Sequence, residues 1–216
     1  MGKINVGILG AFIGKVGSVV GSVVNGKAVI RAIPQGSGST PTKKQEEQHR
    51  LMAAANALLL PMLGFLKVGF ARRANGMTEM NAATSYNLKN ALQATDGDVA
   101  VDYSKVRVSL GNLPLLVHNV RAQVLADGTA RSLEVAWENN SLAFGAADDD
   151  RVMLLVTNHD DFTCKYDMEA GLRSDGSLSA TLPNGWAGTS FSAYMALRSA
   201  DGRQVSESLH LGDFTL

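Results

Sequence analysis

The second half of this 216-residue chain consists of short apolar runs separated by turn residues. Asp-Gly and Asn-Gly pairs supply the turns, because glycine accepts the positive φ that tight turns require. These pairs occur at residues 127–128, 175–176, 184–185 and 201–202. The apolar runs around these pairs are short and rich in strand-forming residues, as in 152–156 and 191–197. The alternating Val106, Val108 and Leu110 also predict a strand, at residues 106–110. Roughly seven strands at this spacing predict an antiparallel β-sandwich over residues 99–216.

Glycine and valine dominate residues 1–38. A helical alternative rests on glycines spaced three and four apart, which would form one close-packing helix face. Strands are favoured, because glycine disfavours helix interiors and valine favours strands. Asn25-Gly26 lies between two apolar runs and predicts a hairpin turn. The residues predicted to form this arm are Val19, Val20, Val23, Val24, Asn25, Gly26, Val29 and Ile30.

Residues 39–98 are predicted to form a short helical segment. Apolar side chains keep helical spacing before Pro61, which should end or kink the first helix. A second long helix is expected at about residues 78–93, after the turn at Asn75-Gly76. The sequence therefore predicts an α+β fold with a β-hairpin arm (1–38), a helical segment (39–98) and an Ig-like sandwich (99–216).

The charge and the cysteine content of the chain limit which binding partners and which cellular compartment are expected. The chain has 20 basic and 20 acidic residues, which disfavours general binding to nucleic acid or to anionic membranes. A single cysteine, Cys164, forms no internal disulfide, which favours a reducing compartment. The N-terminal apolar run does not match a secretion signal, and no stable membrane insertion is expected. The expected location is the cytoplasm, or a virion or similar particle.

Candidate chemical groups do not form a recognisable active site in the sequence. To act as a nucleophile, Cys164 would need a histidine partner, and no motif puts any of the four histidines near it. Asp148-Asp149-Asp150 with Asp160-Asp161 suggests calcium, yet the spacing fits no calcium loop, so solvated loop carboxylates are the favoured interpretation. His159 is interpreted as a loop histidine rather than a metal ligand. The sequence therefore predicts no catalytic, cofactor-binding or metal-binding residue.

Several segments together resemble a known family. They lie at residues 1–5, 7–10, 14–21, 85–91, 102–106, 182–188 and 211–212. In these segments the chain resembles an uncharacterised family common in Bacteroidetes-type bacteria, which implies no activity and no catalytic residues. Trp137, Leu182-Pro183 and Tyr194 also resemble the core pattern of fibronectin type III-like domains, which bears on the fold alone.

Two functional hypotheses follow. The first is a non-enzymatic structural protein, for example a component of a phage or phage-like particle, whose arm pairs with a second copy or with neighbouring subunits. The alternative is a module that binds a glycan or a surface partner through sandwich loops around Trp186.

Overall fold

The computed structural model describes residues 3–4, 11–24, 26–34, 40–95, 97–116, 120–127, 130–142 and 145–216. It divides the chain into two compact units, Met1–Thr42 and Lys43–Leu216. We call the first the N-terminal unit and the second the body.

The N-terminal unit is a sheet of short antiparallel strands. Its strands, in spatial as well as chain order, are β1 (Lys3–Ile4), β2 (Phe12–Val16), β3 (Val19–Val24) and β4 (Lys27–Ala32). Val24 lies opposite Lys27, and Gly26 between them has a φ of 76°, which explains the glycine there. The predicted hairpin strands are thus confirmed, and Asn25 lies outside the described residues.

Three helices begin the body. They are α1 (Lys43–Leu59), α2 (Leu63–Gly69) and α3 (Glu79–Asn90). Pro61 separates α1 from α2, as predicted, and the two helix axes differ by 91°. Thr78 caps α3 by accepting a hydrogen bond from the Asn81 backbone N–H at 3.2 Å. Within the described residues no single helix could cross a membrane by length and hydropathy, although α1 and α2 pass that test as a bent pair.

The rest of the body is antiparallel β-structure. Its strands are β5 (Leu92–Thr95), β6 (Asp98–Val101), β7 (Arg121–Asp127), β8 (Ala130–Ala136), β9 (Arg151–Asn158), β10 (Cys164–Leu172), β11 (Ser177–Thr181), β12 (Ser190–Arg198) and β13 (Leu209–Thr215). β5 and β6 form a hairpin, and β11-β8-β7 form a three-stranded sheet. A four-stranded sheet, in the order β10-β9-β12-β13, is the central sheet of the body. The predicted α+β class is confirmed.

Both faces of the central sheet are buried. On one face Leu155 and Tyr194 join the cluster that contains the helix residues Leu58 and Phe65. On the other face Leu154, Met195 and Leu197 pack with Leu133 of β8 and with Trp137, which directly follows β8. Because of this double burial, β9 and β12 consist of almost continuous buried residues rather than of an alternating pattern. Among its described residues the body therefore has two hydrophobic clusters, one on each face of the central sheet, which lies between the helices and β8.

Residues 106–110 were expected to form a strand, and this expectation is wrong. The segment forms no regular strand, and part of its backbone pairs with side chains. The buried Asn87 amide donates to Arg107 O at 2.9 Å and accepts from Arg107 N–H at 2.9 Å. Ser208 Oγ accepts from Val108 N–H at 3.1 Å. Side-chain groups thus replace a neighbouring strand, and alternating hydrophobicity alone cannot reveal this.

Candidate assembly surface

Strands β2, β3 and β4 place all of their polar side chains on one face. Residues that lie opposite one another in antiparallel strands share a face, as do alternate residues along each strand. The register pairs Val16 with Val19, Gly21 with Ile30, and Val23 with Ala28. The apolar face therefore comprises Gly14, Val16, Val19, Gly21, Val23, Ala28, Ile30 and Ala32. None of these residues is polar, so one whole face of this sheet is hydrophobic.

Much of the apolar face is open to solvent. Ile30 is 63% exposed, Val16 51% and Val23 49%. Gly21 is the exception: a Cβ built there would lie 2.7 Å from two ring carbons of Phe12, so glycine lets that ring cover the centre of the face. The outer side chains of this face therefore remain exposed to water.

The opposite face carries the charges. The register places Lys15 with Val20 and Arg31, while Ser22 lies opposite Val29. We call the set Lys15, Val20, Ser22, Val24, Lys27, Val29 and Arg31 the basic face. All of its charged side chains are cationic.

Charge is distributed unequally between the two units. Residues 1–42 contain four basic residues, Lys3, Lys15, Lys27 and Arg31, and no acidic residue. All 20 acidic residues lie in the body, together with the other 16 basic residues. The zero net charge of the chain therefore combines a formal +4 unit with a formal −4 body.

β4 is also a free edge among the described residues. It pairs with β3 on one side, lies last in the sheet order, and all six of its residues are exposed. Its outer backbone N–H and C=O groups are available for pairing with another strand.

The structure brings most of the predicted arm residues to this sheet. Val23 and Ile30 lie on the apolar face, whereas Val24 and Val29 lie on the basic face, and all four are exposed. Val19 and Val20 are half-buried, one on each face, and Gly26 forms the turn.

Trp186, the candidate for ligand contact, lies in the core of the body. Only 6% of it is exposed, and its ring centroid is 5.9 Å from that of Phe191. Its indole N–H donates to Thr163 Oγ1 at 3.1 Å. The indole thus has little free face on which a sugar could stack.

A serine, a histidine and an aspartate meet beside β13. Ser192 Oγ donates to Asp213 Oδ1 at 2.5 Å and lies 2.6 Å from His159 Nε2. With its proton on the carboxylate side, the hydroxyl accepts from His159, so that imidazole nitrogen is protonated and is not free to act as a base. In a nucleophilic triad the histidine stands between the other two groups. Ser192 is also fully buried, so the cluster has a structural arrangement.

Aromatic packing completes this cluster. The Tyr103 ring stacks on His159 with centroids 3.7 Å apart, and His210 Nε2 lies 3.1 Å from Asp213 Oδ1. Burial lowers the pKa of His159, and nearby Asp213 and Asp160 partly oppose this effect. Burial, with smaller contributions from the same carboxylates, raises the pKa of Tyr103 to about 12.

The single cysteine is poorly suited to act as a nucleophile. Cys164 is half-buried at the start of β10, and burial raises the pKa of its thiol to about 11. The reactive thiolate is therefore scarce near neutral pH.

Asp150 is buried, so the prediction that the carboxylates of the acidic loop are all solvated is wrong for this residue. Its carboxylate is buried and lies 3.0 Å from both Nε and Nη2 of the fully buried Arg173. Arg173 also donates to Pro114 O at 2.7 Å and to the Asn140 side chain. Asp148 remains exposed and accepts from Asn139 at 2.7 Å. No group of three or more potential metal ligands occurs in the parts of the chain that the structure describes.

Fold and surface together define an α+β protein with a compact body and an N-terminal sheet that exposes an apolar face. Residues 11–212 match the model of a family of unknown function, DUF6266, and the chain belongs to that family. Neither a search of curated proteins nor a search of solved structures finds a match.

Proposed function

We propose that this chain is a non-enzymatic structural protein that assembles with other chains through its N-terminal sheet. The observation that carries the proposal is the exposed apolar face formed by β2, β3 and β4. Contiguous exposed apolar surface on a folded protein is typical of interaction sites. The free edge of β4 supports the same function, because an added strand would satisfy its backbone groups.

The chemistry of the body agrees with a structural role. The Ser192 hydroxyl is directed to a carboxylate rather than activated by a base, and the Cys164 thiol has a raised pKa. The buried Asp150 and Arg173 side chains are paired with each other, as in a structural ion pair. A component of a phage or phage-like particle is one concrete form of the proposal, and an Ig-like body of the kind predicted from the sequence would suit it.

Substitutions that keep strand propensity test the proposal. Val23→Thr with Ile30→Thr makes the apolar face polar while retaining β-branched residues. The matched control, Val24→Thr with Val29→Thr, makes a similar change on the basic face of the same strands. Sedimentation velocity over a wide concentration range should show that the wild type and the control associate and that the apolar-face variant dissociates.

Two outcomes would contradict the proposal. One is a wild-type chain that stays monomeric at every concentration. The other is an apolar-face variant that associates as strongly as the wild type. Circular dichroism of each variant checks that the strands are retained.

A further inference from the structure

We infer that the N-terminal unit binds the body of a second copy of this chain, an inference that rests on the assembly proposed above. The first ground is charge complementarity. The N-terminal unit has four cationic residues and no acidic one, whereas the body has four more acidic than basic residues. Opposite charges on two surfaces direct encounter and fix orientation, and like charges oppose it.

The size of the apolar face supplies the second ground. Three strands about 4.8 Å apart and about six residues long give a face on the order of 300 Å². A stable interface buries about 800 Å² on each partner. Two N-terminal sheets packed through their apolar faces would therefore bury too little surface for a stable interface. The cationic residues of the two units would also repel one another.

The body of a second copy offers a larger contact surface than a second N-terminal sheet does. It is larger, so it can cover the apolar face and also contact the β4 edge and the long cationic side chains around it. Lys27 and Arg31 lie on the edge strand β4, where they can reach beyond the sheet. The expected contact has an apolar centre, supplied by Val23 and Ile30, and a charged rim.

This contact joins two different surfaces, one from each copy. Such heterologous contacts close into rings when the rotation between copies allows it, and otherwise they extend into filaments. Each chain would donate its N-terminal unit to one neighbour and receive the unit of another.

Carbodiimide cross-linking tests the inference on the full-length chain. The reagent joins amines to carboxylates, and residues 1–42 contain lysines but no carboxylate side chain. It therefore cannot link two N-terminal units to each other through side chains. In a mixture of ¹⁴N- and ¹⁵N-labelled protein, links from Lys15 or Lys27 to acidic residues of the other isotope should be found by mass spectrometry.

Charge reversal gives a second, quantitative measurement. Three exposed charge pairs are worth about tenfold in affinity, so Lys15→Glu with Lys27→Glu and Arg31→Glu should weaken association by at least that factor, because reversal also replaces attraction by repulsion. The control Lys43→Glu with Lys44→Glu and Arg72→Glu changes the net charge equally, but on exposed residues of the body. Because it makes the body more acidic, the control should leave association unchanged or strengthen it.

The failures of the two proposals are distinguishable. If the protein associates through the apolar face, but mixed-isotope links are missing or both charge variants weaken association equally, then this inference is overturned and the assembly function stands. If the wild-type protein stays monomeric at every concentration, both proposals fail.

Discussion

The N-terminal sheet and the central sheet of the body are built from similar residues but are covered very differently. β3 and β4 are rich in valine and isoleucine, as β9 and β12 are in apolar residues generally. In the body, helices cover one face of the central sheet and β8 covers the other. In the N-terminal sheet, Ile30, Val16 and Val23 stay exposed on the apolar face.

This difference shows that strand propensity and burial are separate properties. The apolar residues of β9 and β12 stabilise the body in which they lie, because they are removed from water there. The apolar residues of the N-terminal sheet gain the same stabilisation only when something else covers them. The first group should thus control the free energy of unfolding, and the second should control association.

The largest expected effect comes from breaking the buried ion pair of the body. Asp150→Ala leaves the Arg173 guanidinium buried without its carboxylate, which should lower the free energy of unfolding by about 3–5 kcal/mol. Urea denaturation of the full-length chain measures this change. Glu169→Ala, which removes the exposed partner of Arg151, is the control and should cost less than about 1 kcal/mol. Equal costs for the two substitutions would contradict the account.

A pair of matched truncations compares the two sheets directly. Leu155→Ala in the central sheet should lower the free energy of unfolding by roughly 3 kcal/mol, because it leaves a cavity in a covered core. Ile30→Ala in dilute protein should cost less than about 0.5 kcal/mol of body stability, because Ile30 is exposed. For association the order should be reversed: Ile30→Ala should weaken it more than Leu155→Ala does. Equal destabilisation by Ile30→Ala and Leu155→Ala would contradict the separation between residues that stabilise the body and residues that control association.

Removing the Asn87 amide, which takes the place of a neighbouring strand at Arg107, should have a somewhat smaller effect on the free energy of unfolding. Asn87→Ala leaves the partly buried N–H and C=O groups of Arg107 without the Asn87 amide, and we expect a loss of about 2 kcal/mol in urea denaturation. Asn90→Ala is the control, because Asn90 is exposed on the same helix and bonds only locally, to Tyr86 O. It should change the free energy of unfolding by less than about 0.5 kcal/mol. A neutral Asn87→Ala variant would show that residues 106–110 are held by other contacts.

The smallest expected effect is a dependence on pH that the body should show through His159. Burial holds the pKa of His159 below its ordinary value of 6.5, so the folded protein binds fewer protons than the unfolded chain just below that pH. The stability that comes from neutral His159 is therefore present above pH 6.5 and is lost as the pH falls below it.

Urea denaturation at several pH values measures this slope. His159→Phe keeps a ring to stack on Tyr103 and removes the titrating group, so its stability should fall less as the pH is lowered. His49→Gln on the exposed face of α1 is the control and should retain the wild-type slope. An unchanged slope in His159→Phe would contradict the interpretation.

The sequence predicted the features that depend on local patterns. Pro61 between two helices and the turn at Gly26 follow from the chemistry of single residues. Residues 106–110 did not form the expected strand, because their partners Asn87 and Ser208 are distant in the chain. The burial of Asp150 was missed for the same reason, because β9 and β10 separate it in the chain from its partner Arg173.

The candidate assembly surface was only partly accessible from the sequence. Its residues were predicted, but a strand pattern does not tell whether a sheet face is covered, so the exposure of Val23 and Ile30 required the structure. The separation of charge, by contrast, is present in the sequence, because no acidic residue precedes Glu46. Counting charge for each segment, rather than for the whole chain, would have revealed it.

Hydrogen exchange at two protein concentrations tests the central claim, that another chain covers the N-terminal sheet. The account predicts that amides of β3 and β4 exchange more slowly as the concentration rises, whereas those of β9 and β12 exchange equally slowly at both. Exchange from β3 and β4 that is independent of concentration would contradict the account.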